Sequence, residues 1–281
     1  MREIGVGEIT RTVAQLFREA NFFLTEDVLS ALKKAEKTEE SAVAREVLQQ
    51  IIKNSEIAAS EQVPLCQDCG AAVVFVELGQ EVHVTGGDFD KAINEGVKQA
   101  YDEGYLRKSM VSRPFSARLN TKDNTPAIIY TDVVAGDRIK ITVVPKGGGA
   151  ENMSRLGMLA PADGRQGIVD FVTRAVDEAG SNPCPPVIVG VGIGGTAERT
   201  LLLAKKALLR KIGGHNPDPE MAELETELLE KVNGLGIGPM GYGGRTTALA
   251  VNVEVFPAHL ATMPVAVNLN CHSSRHKEAV I

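Results

Sequence analysis

The sequence predicts a mixed α+β fold, a helical N-terminal region followed by mixed helices and largely antiparallel strands. Three observations lead there. Residues 7 to 53 alternate polar and apolar side chains at helical spacing, β-rich runs begin only after a loop from Pro64 to Gly70, and both periodicities then alternate to the end of the chain. In the N-terminal region Thr25 stands where a helix cap belongs, Glu26 and Asp27 follow in the first turn, and Lys33, Lys34 and Lys37 come towards the end, charges placed to suit a helix dipole. Ala72 to Leu78 and Glu81 to Val84, joined by Gly79 and Gln80, read as a hairpin. Asp90 to Tyr101 reads as a helix, and Pro126 to Val144 offers two β-rich runs around Ala135, Gly136 and Asp137 for which antiparallel pairing is expected. A helix from Gly167 to Ala179, a buried strand from Val187 to Val191, helices from Ala197 to Arg210 and Pro219 to Val232, and strands from Thr246 to Val255 and Pro264 to Leu269 complete the expectation. No internal repeat or long Pro/Ser linker marks a boundary. A single domain is therefore expected, with a soft internal boundary near residue 60 between a helical region, 1–60, and an α+β region, 61–281.

Composition narrows the function. With 281 residues, 43% hydrophobic and 23% charged, the chain has the balance of a globular protein and excludes a disordered tail. Lys and Arg number 30 against 36 Asp and Glu, a net charge of −6, so no basic surplus suits a nucleic acid or an anionic membrane surface. No apolar run approaches the roughly 20 residues of a spanning helix, and MREIGVGEITRTVAQLFREA lacks the apolar core of a signal peptide, so a cytoplasmic chain is expected. Aromatic residues make up 4%, Trp is absent, and Gly reaches 28, a composition that suits close backbone approaches and a small polar ligand. A chain this long buries a core without disulfide staples, which leaves its four cysteines available for chemistry.

Three of those cysteines stand in turn-like company: Cys66 in PLCQDCG, Cys184 in SNPCPP and Cys271 in NLNCHSSRH. A cysteine packed as a small hydrophobe normally sits in an apolar run. Thiolates converging from separate loops point to a metal. Either all four cysteines, Cys69 included, close a tetrahedral zinc site in a zinc-stabilised binding protein, or some of them hold an iron–sulfur cluster; the residue pattern leaves both open. A redox disulfide at Cys66-x-x-Cys69 ranks below these, because the strand-to-helix setting with aromatic neighbours is missing.

Gly190-x-Gly192-x-x-Gly195 follows an apolar strand and precedes a helix, the local form of a dinucleotide fingerprint. The second strand with an acidic end, expected about 20 residues later, is replaced by a turn and another helix over residues 211 to 232. Tight strand-to-helix packing is the favoured reading. PKGGGAENMS at residues 145 to 154 lacks the Gly-Lys-Ser/Thr ending of a phosphate-binding Walker loop, yet its glycines can present backbone N–H groups to an anion. GLGIGPMGYGG at residues 234 to 244 serves either close packing or approach to a ligand.

Read together, CQDCG at Cys66, EGYLRKS around Arg107, NTPA at Asn124, PKGGGAENMS, NPCPPVIVGVGIGG, GPMGYGGRTTAL and PAHLATMPVAVNLNCHSSRH resemble the α-type subunit of iron–sulfur hydro-lyases, the class I fumarate hydratase and tartrate dehydratase family. The resemblance covers essentially the whole chain, with long motifs in matching order. It implies a cluster-binding cleft in which Cys66, Cys184 and Cys271 hold a [4Fe-4S] cluster with one iron lacking a protein ligand. It implies catalytic roles for Asp68 and His259 and substrate contacts from Gln67, Arg107 and Gly149, the Arg107 fork suiting a carboxylate. It also implies a small dicarboxylate substrate, fumarate and L-malate before L-tartrate, and a separate β subunit that supplies the base and further cations. His272 and His276 flank Cys271 and are candidates to donate hydrogen bonds to cluster sulfurs. The chain departs from the family at position 69, where the usual threonine is a cysteine. A thiolate there would close the open iron, and a tight turn is expected to aim Cys69 elsewhere.

Overall fold

The computed structural model describes all 281 residues, as twelve strands and eight α-helices. In chain order these are β1 (Arg2–Gly5), α1 (Val6–Phe22), α2 (Glu26–Thr38), α3 (Ala42–Glu61), β2 (Ala71–Gly79), β3 (Val82–Thr85), α4 (Phe89–Glu103), β4 (Val111–Ser112), β5 (Leu119–Asn120), β6 (Ile128–Val134), β7 (Ile139–Lys146), α5 (Gly148–Glu151), β8 (Arg155–Leu159), α6 (Gly164–Ala179), β9 (Val187–Gly194), α7 (Ala197–Ala207), α8 (Pro219–Gly234), β10 (Ala248–Phe256), β11 (Met263–Asn270) and β12 (Lys277–Val280). The fold is mixed α+β, as expected, with five of its eight strand pairings antiparallel. The N-terminal helical region resolves into three helices preceded by a short strand. Thr25 occupies the N-cap position of α2 but makes no side-chain cap bond. The chain divides into two compact units: residues 1–24, 54–148 and 275–281 form the first, and residues 25–53 and 149–274 the second.

In the first unit the four-stranded sheet runs β12-β7-β2-β6, with α1 packed on β7 and β12 and α4 packed on α1. Helix α1 presents Ile9, Val13 and Phe17, and α4 presents Ile93, Val97 and Tyr101, at the four-residue spacing that builds one apolar face. These meet Val74, Val76, Ile139, Ile141 and Val143 of the sheet in one buried cluster. Asp88 caps α4 by accepting the Lys91 N–H at 2.8 Å.

Two pairings differ from the sequence expectation. The hairpin of Ala72 to Leu78 with Glu81 to Val84 does not form: β3 pairs in parallel with β1, and β2 lies between β6, parallel to it, and β7, antiparallel to it. For the same reason β6 and β7 do not pair with each other. The connection between them passes over the end of β2, where Gly79 N–H donates to Arg138 O at 2.9 Å and Glu81 N–H to Gly136 O at 3.0 Å. A Cβ on Gly79 would lie 2.5 Å from the Gly136 carbonyl oxygen, so only glycine admits the crossing. Gly79 marks a close approach of backbone rather than a turn between partners.

In the second unit the sheet runs β10-β9-β11-β8. Alternation along β9 sends Val187, Val189 and Val191 into one cluster with Val172 and Val176 of α6 and Leu224 and Leu228 of α8. Gly190 and Gly192 face the other way, against α7. A Cβ at Gly190 would meet the Ala204 carbonyl oxygen at 2.1 Å, and one at Gly192 the Thr200 carbonyl oxygen at 2.2 Å. These glycines let the backbone of α7 lie directly on β9, which accounts for the glycine pattern by packing.

Candidate active site

The loop joining α3 to β2 carries CQDCG, and its geometry is set by short local bonds and three distant clamps. Cys66 thiol donates to Gln67 Oε1 at 3.1 Å, and its sulfur accepts the Asp68 N–H at 3.4 Å. Asp68 Oδ1 accepts the Gly70 N–H at 3.0 Å, the two-residue reach of an Asx turn, while Oδ2 accepts the Gly148 N–H at 2.7 Å. One carboxylate thus fastens this loop to the glycine-rich stretch after β7. Cys69 turns inward, 1% exposed; its sulfur accepts the Arg107 N–H at 3.1 Å and its thiol points to the Cys66 carbonyl at 3.6 Å. Burial pushes the Cys69 thiol above its ordinary pKa.

The clamps come from residues that sequence reasoning did not single out for the loop. Tyr101 hydroxyl, fully buried on α4, donates to the carbonyls of Cys69 at 2.6 Å and Gly70 at 3.0 Å, and burial raises its pKa. Asn124, in the left-handed region at φ 62°, donates through Nδ2 to Gly70 O at 3.1 Å and accepts from Ser109 N at 2.8 Å. Arg275, 3% exposed, donates through Nη2 to the Asp68 carbonyl and through Nη1 to Asn21 Oδ1 at 3.2 Å. Only NTPA and the Cys-His-Ser-Ser-Arg-His run carried a signal, and that signal named the motif rather than the contact. Gln67 and the Arg107 side chain are exposed beside this framework.

In the second unit Cys184 sits at φ 56°, a left-handed conformation that a residue with a Cβ adopts only when its surroundings require it. The Cys184 carbonyl accepts the His272 N–H at 3.2 Å and lies 3.0 Å from His272 Nδ1, so the two cysteine loops, 184 and 271, are tied through one carbonyl. That bond orients the His272 ring by its Nδ1 edge. Gly149 is exposed, and a Cβ there would stand 3.2 Å from the Asn182 carbonyl oxygen, two residues before Cys184. His259 is exposed in the turn after β10; its Nδ1 accepts the Ala261 N–H at 3.2 Å, which leaves the ring proton on Nε2. It borders a cavity of about 370 Å³ with Arg199, Phe256 and Thr262.

All four cysteines are reduced, and Cys66, Cys184 and Cys271 are half-buried on loops while Cys69 is buried. Within neither unit do three His, Cys, Asp or Glu side chains gather to hold a single metal ion. The loop cysteines fall one in the first unit and two in the second. Iron–sulfur clusters are held by cysteine sulfurs, and all three of these are half-buried on loops. By residue type, the three loop cysteines suit an iron–sulfur cluster. Cys69, by contrast, is buried in the core of the first unit, its sulfur facing the Arg107 amide.

A family model described as fumarate hydratase (fumerase) matches residues 10–280. The chain belongs to this family of hydro-lyases. Among curated relatives, the putative L(+)-tartrate dehydratase subunit alpha of Methanocaldococcus jannaschii is 46% identical over 273 residues, 95% of each chain. The L(+)-tartrate dehydratase subunit alpha of Escherichia coli K12 is 31% identical over 276 residues, 98% of this chain and 91% of the relative. This family membership places the chain among hydro-lyase α subunits.

Proposed function

We propose that this chain is the α subunit of a two-subunit [4Fe-4S] hydro-lyase that interconverts fumarate and L-malate in the cytoplasm. The observation that carries this reading is the continuous family match from residue 10 to residue 280. Cys66, Cys184 and Cys271 would hold the cluster. When bound, it supplies a Lewis-acidic iron for a poor hydroxide leaving group, worth several kcal/mol of charge stabilisation.

The residues of the chain do the positioning. Arg107, its amide fixed by Cys69, extends a planar fork suited to one carboxylate of the substrate, and the Gln67 amide orients it from the neighbouring loop. Gly149 keeps its backbone open to a close approach. We assign His259 a catalytic role through its Nε2 edge, Nδ1 being engaged by the Ala261 N–H, while Asp68 holds two loops through backbone amides. Removal of the carbon-bound proton needs a positioned base, worth about 10²–10⁴ in rate, and we assign that base and further cations to a β subunit. The name "subunit alpha" borne by both relatives supports a split site. No helix is long and apolar enough to cross a membrane.

L(+)-tartrate dehydration is a second reading, favoured by the names of the curated relatives. A substrate panel on the anaerobically reconstituted two-subunit complex decides between them. The account expects kcat/KM to be highest for fumarate and L-malate; a preference for L(+)-tartrate selects the second reading, and turnover of neither rejects both. The isolated chain is expected to be nearly inactive, and full activity without a partner contradicts the split site.

A further inference from the structure

Residues 105–122 read YLRKSMVSRPFSARLNTK, with five Lys or Arg and no Asp or Glu in a chain whose net charge is −6. They project the β4–β5 hairpin, and its tip residue Phe115 is 95% exposed, with Tyr105 at 90% and Leu119 at 59%. An aromatic ring this bare beside Arg113, Arg118 and Lys122 is a partner contact in composition, since aromatic residues and Arg are what protein interfaces concentrate.

The hairpin is also held rigid. At its base Asn120 Nδ2 donates to Lys108 O at 2.8 Å and Thr121 N–H to Met110 O at 2.9 Å. At its tip Arg118 Nη1 donates to Pro114 O at 2.5 Å and Ser116 N–H to Arg113 O at 3.0 Å. Arg113, Arg118 and Lys122 take positive φ angles of 50°, 46° and 70°, a shape maintained by these bonds. A projection ordered before binding loses little freedom on docking.

Its anchor decides the occupant. Asn124 holds the hairpin base through Ser109 and Met110 at 2.8 and 3.2 Å and, through Nδ2, the Gly70 carbonyl that closes the CQDCG loop. A subunit that completes a site at Cys66 to Asp68 and Arg107 must come up against this hairpin. We propose that the β4–β5 hairpin is the docking arm for that partner subunit, with Phe115 entering an apolar recess rimmed by carboxylates. The inference rests on the split-site reading above.

Isothermal titration of the cluster-loaded chain with the separately purified partner subunit, anaerobically and at low and high KCl, tests it. Phe115→Ala and the double variant Arg113→Glu/Lys122→Glu are each expected to weaken binding at least about tenfold. The wild-type affinity should fall with salt and the double variant should lose most of that dependence. Val133→Ser, at an apolar position on β6 that is 69% exposed, should bind as wild type. Matching circular dichroism melts establish that the variants fold. Hairpin variants that bind as tightly as wild type overturn the docking arm and leave the split site standing, whereas a wild-type chain that binds no partner overturns both. Hairpin-dependent self-association of the chain alone, read by sedimentation, would assign the arm to a second copy and also reject the proposal.

Discussion

A threonine hydroxyl at position 69 could accept the Arg107 N–H and reach the Cys66 carbonyl as the thiol does, so these contacts do not require a cysteine there. Cys69→Thr is therefore expected to leave iron and sulfide content and activity close to wild type; loss of either would place Cys69 at the cluster. Because burial raises the Cys69 pKa, its neutral form stabilises the fold below the ordinary thiol range, and that contribution fades as pH rises past it. In cluster-free protein at neutral pH, iodoacetamide followed by peptide mapping should label Cys66 well before Cys69. Tyr101→Phe removes the donor to two buried carbonyls, and denaturant unfolding should register a loss of about 1–3 kcal/mol. None of these contacts was legible in advance. Local company marked Cys66, Cys184 and Cys271 as chemistry, but Arg275 lies 207 residues from the Asp68 carbonyl it holds, and no spacing rule reaches that far.

At the scale of elements, periodicity identified the helices α4, α6, α7 and α8 and the strands β9, β10 and β11 well, because each buries one clear face or runs through a core. Pairing was less legible. Gly79 and Gly136 both look like hairpin turns in the sequence, yet they meet each other where the β6–β7 connection crosses β2. A turn signal reports what the backbone can do locally and says nothing of which strand is inserted between two neighbours. The glycine fingerprint on β9 is the converse case, where the missing second strand pointed correctly to packing. Gly192→Ala would drive a methyl into the Thr200 carbonyl, and denaturant titration should show destabilisation of about 1–3 kcal/mol. Calorimetry with NAD should show no binding; measurable affinity would restore the nucleotide reading.

Across the whole molecule, the chain passes between its two compact units several times, and each unit is assembled from segments far apart in the sequence. The sequence made the fold class and the set of motifs readable; it could not show the braces that hold them, the amides on Asp68, the carbonyl of Cys184 on His272 and the anchor at Asn124. An iron without a protein ligand is open to oxidants, and activity is expected to fade in air and return with iron and reductant. Metal and sulfide analysis of the anaerobically co-purified assembly reaches the central claim most directly. The account predicts about four irons and four acid-labile sulfides per chain, lost on replacing Cys66, Cys184 or Cys271 by alanine. Stoichiometric zinc with no sulfide, or an iron content indifferent to those three cysteines, would contradict it.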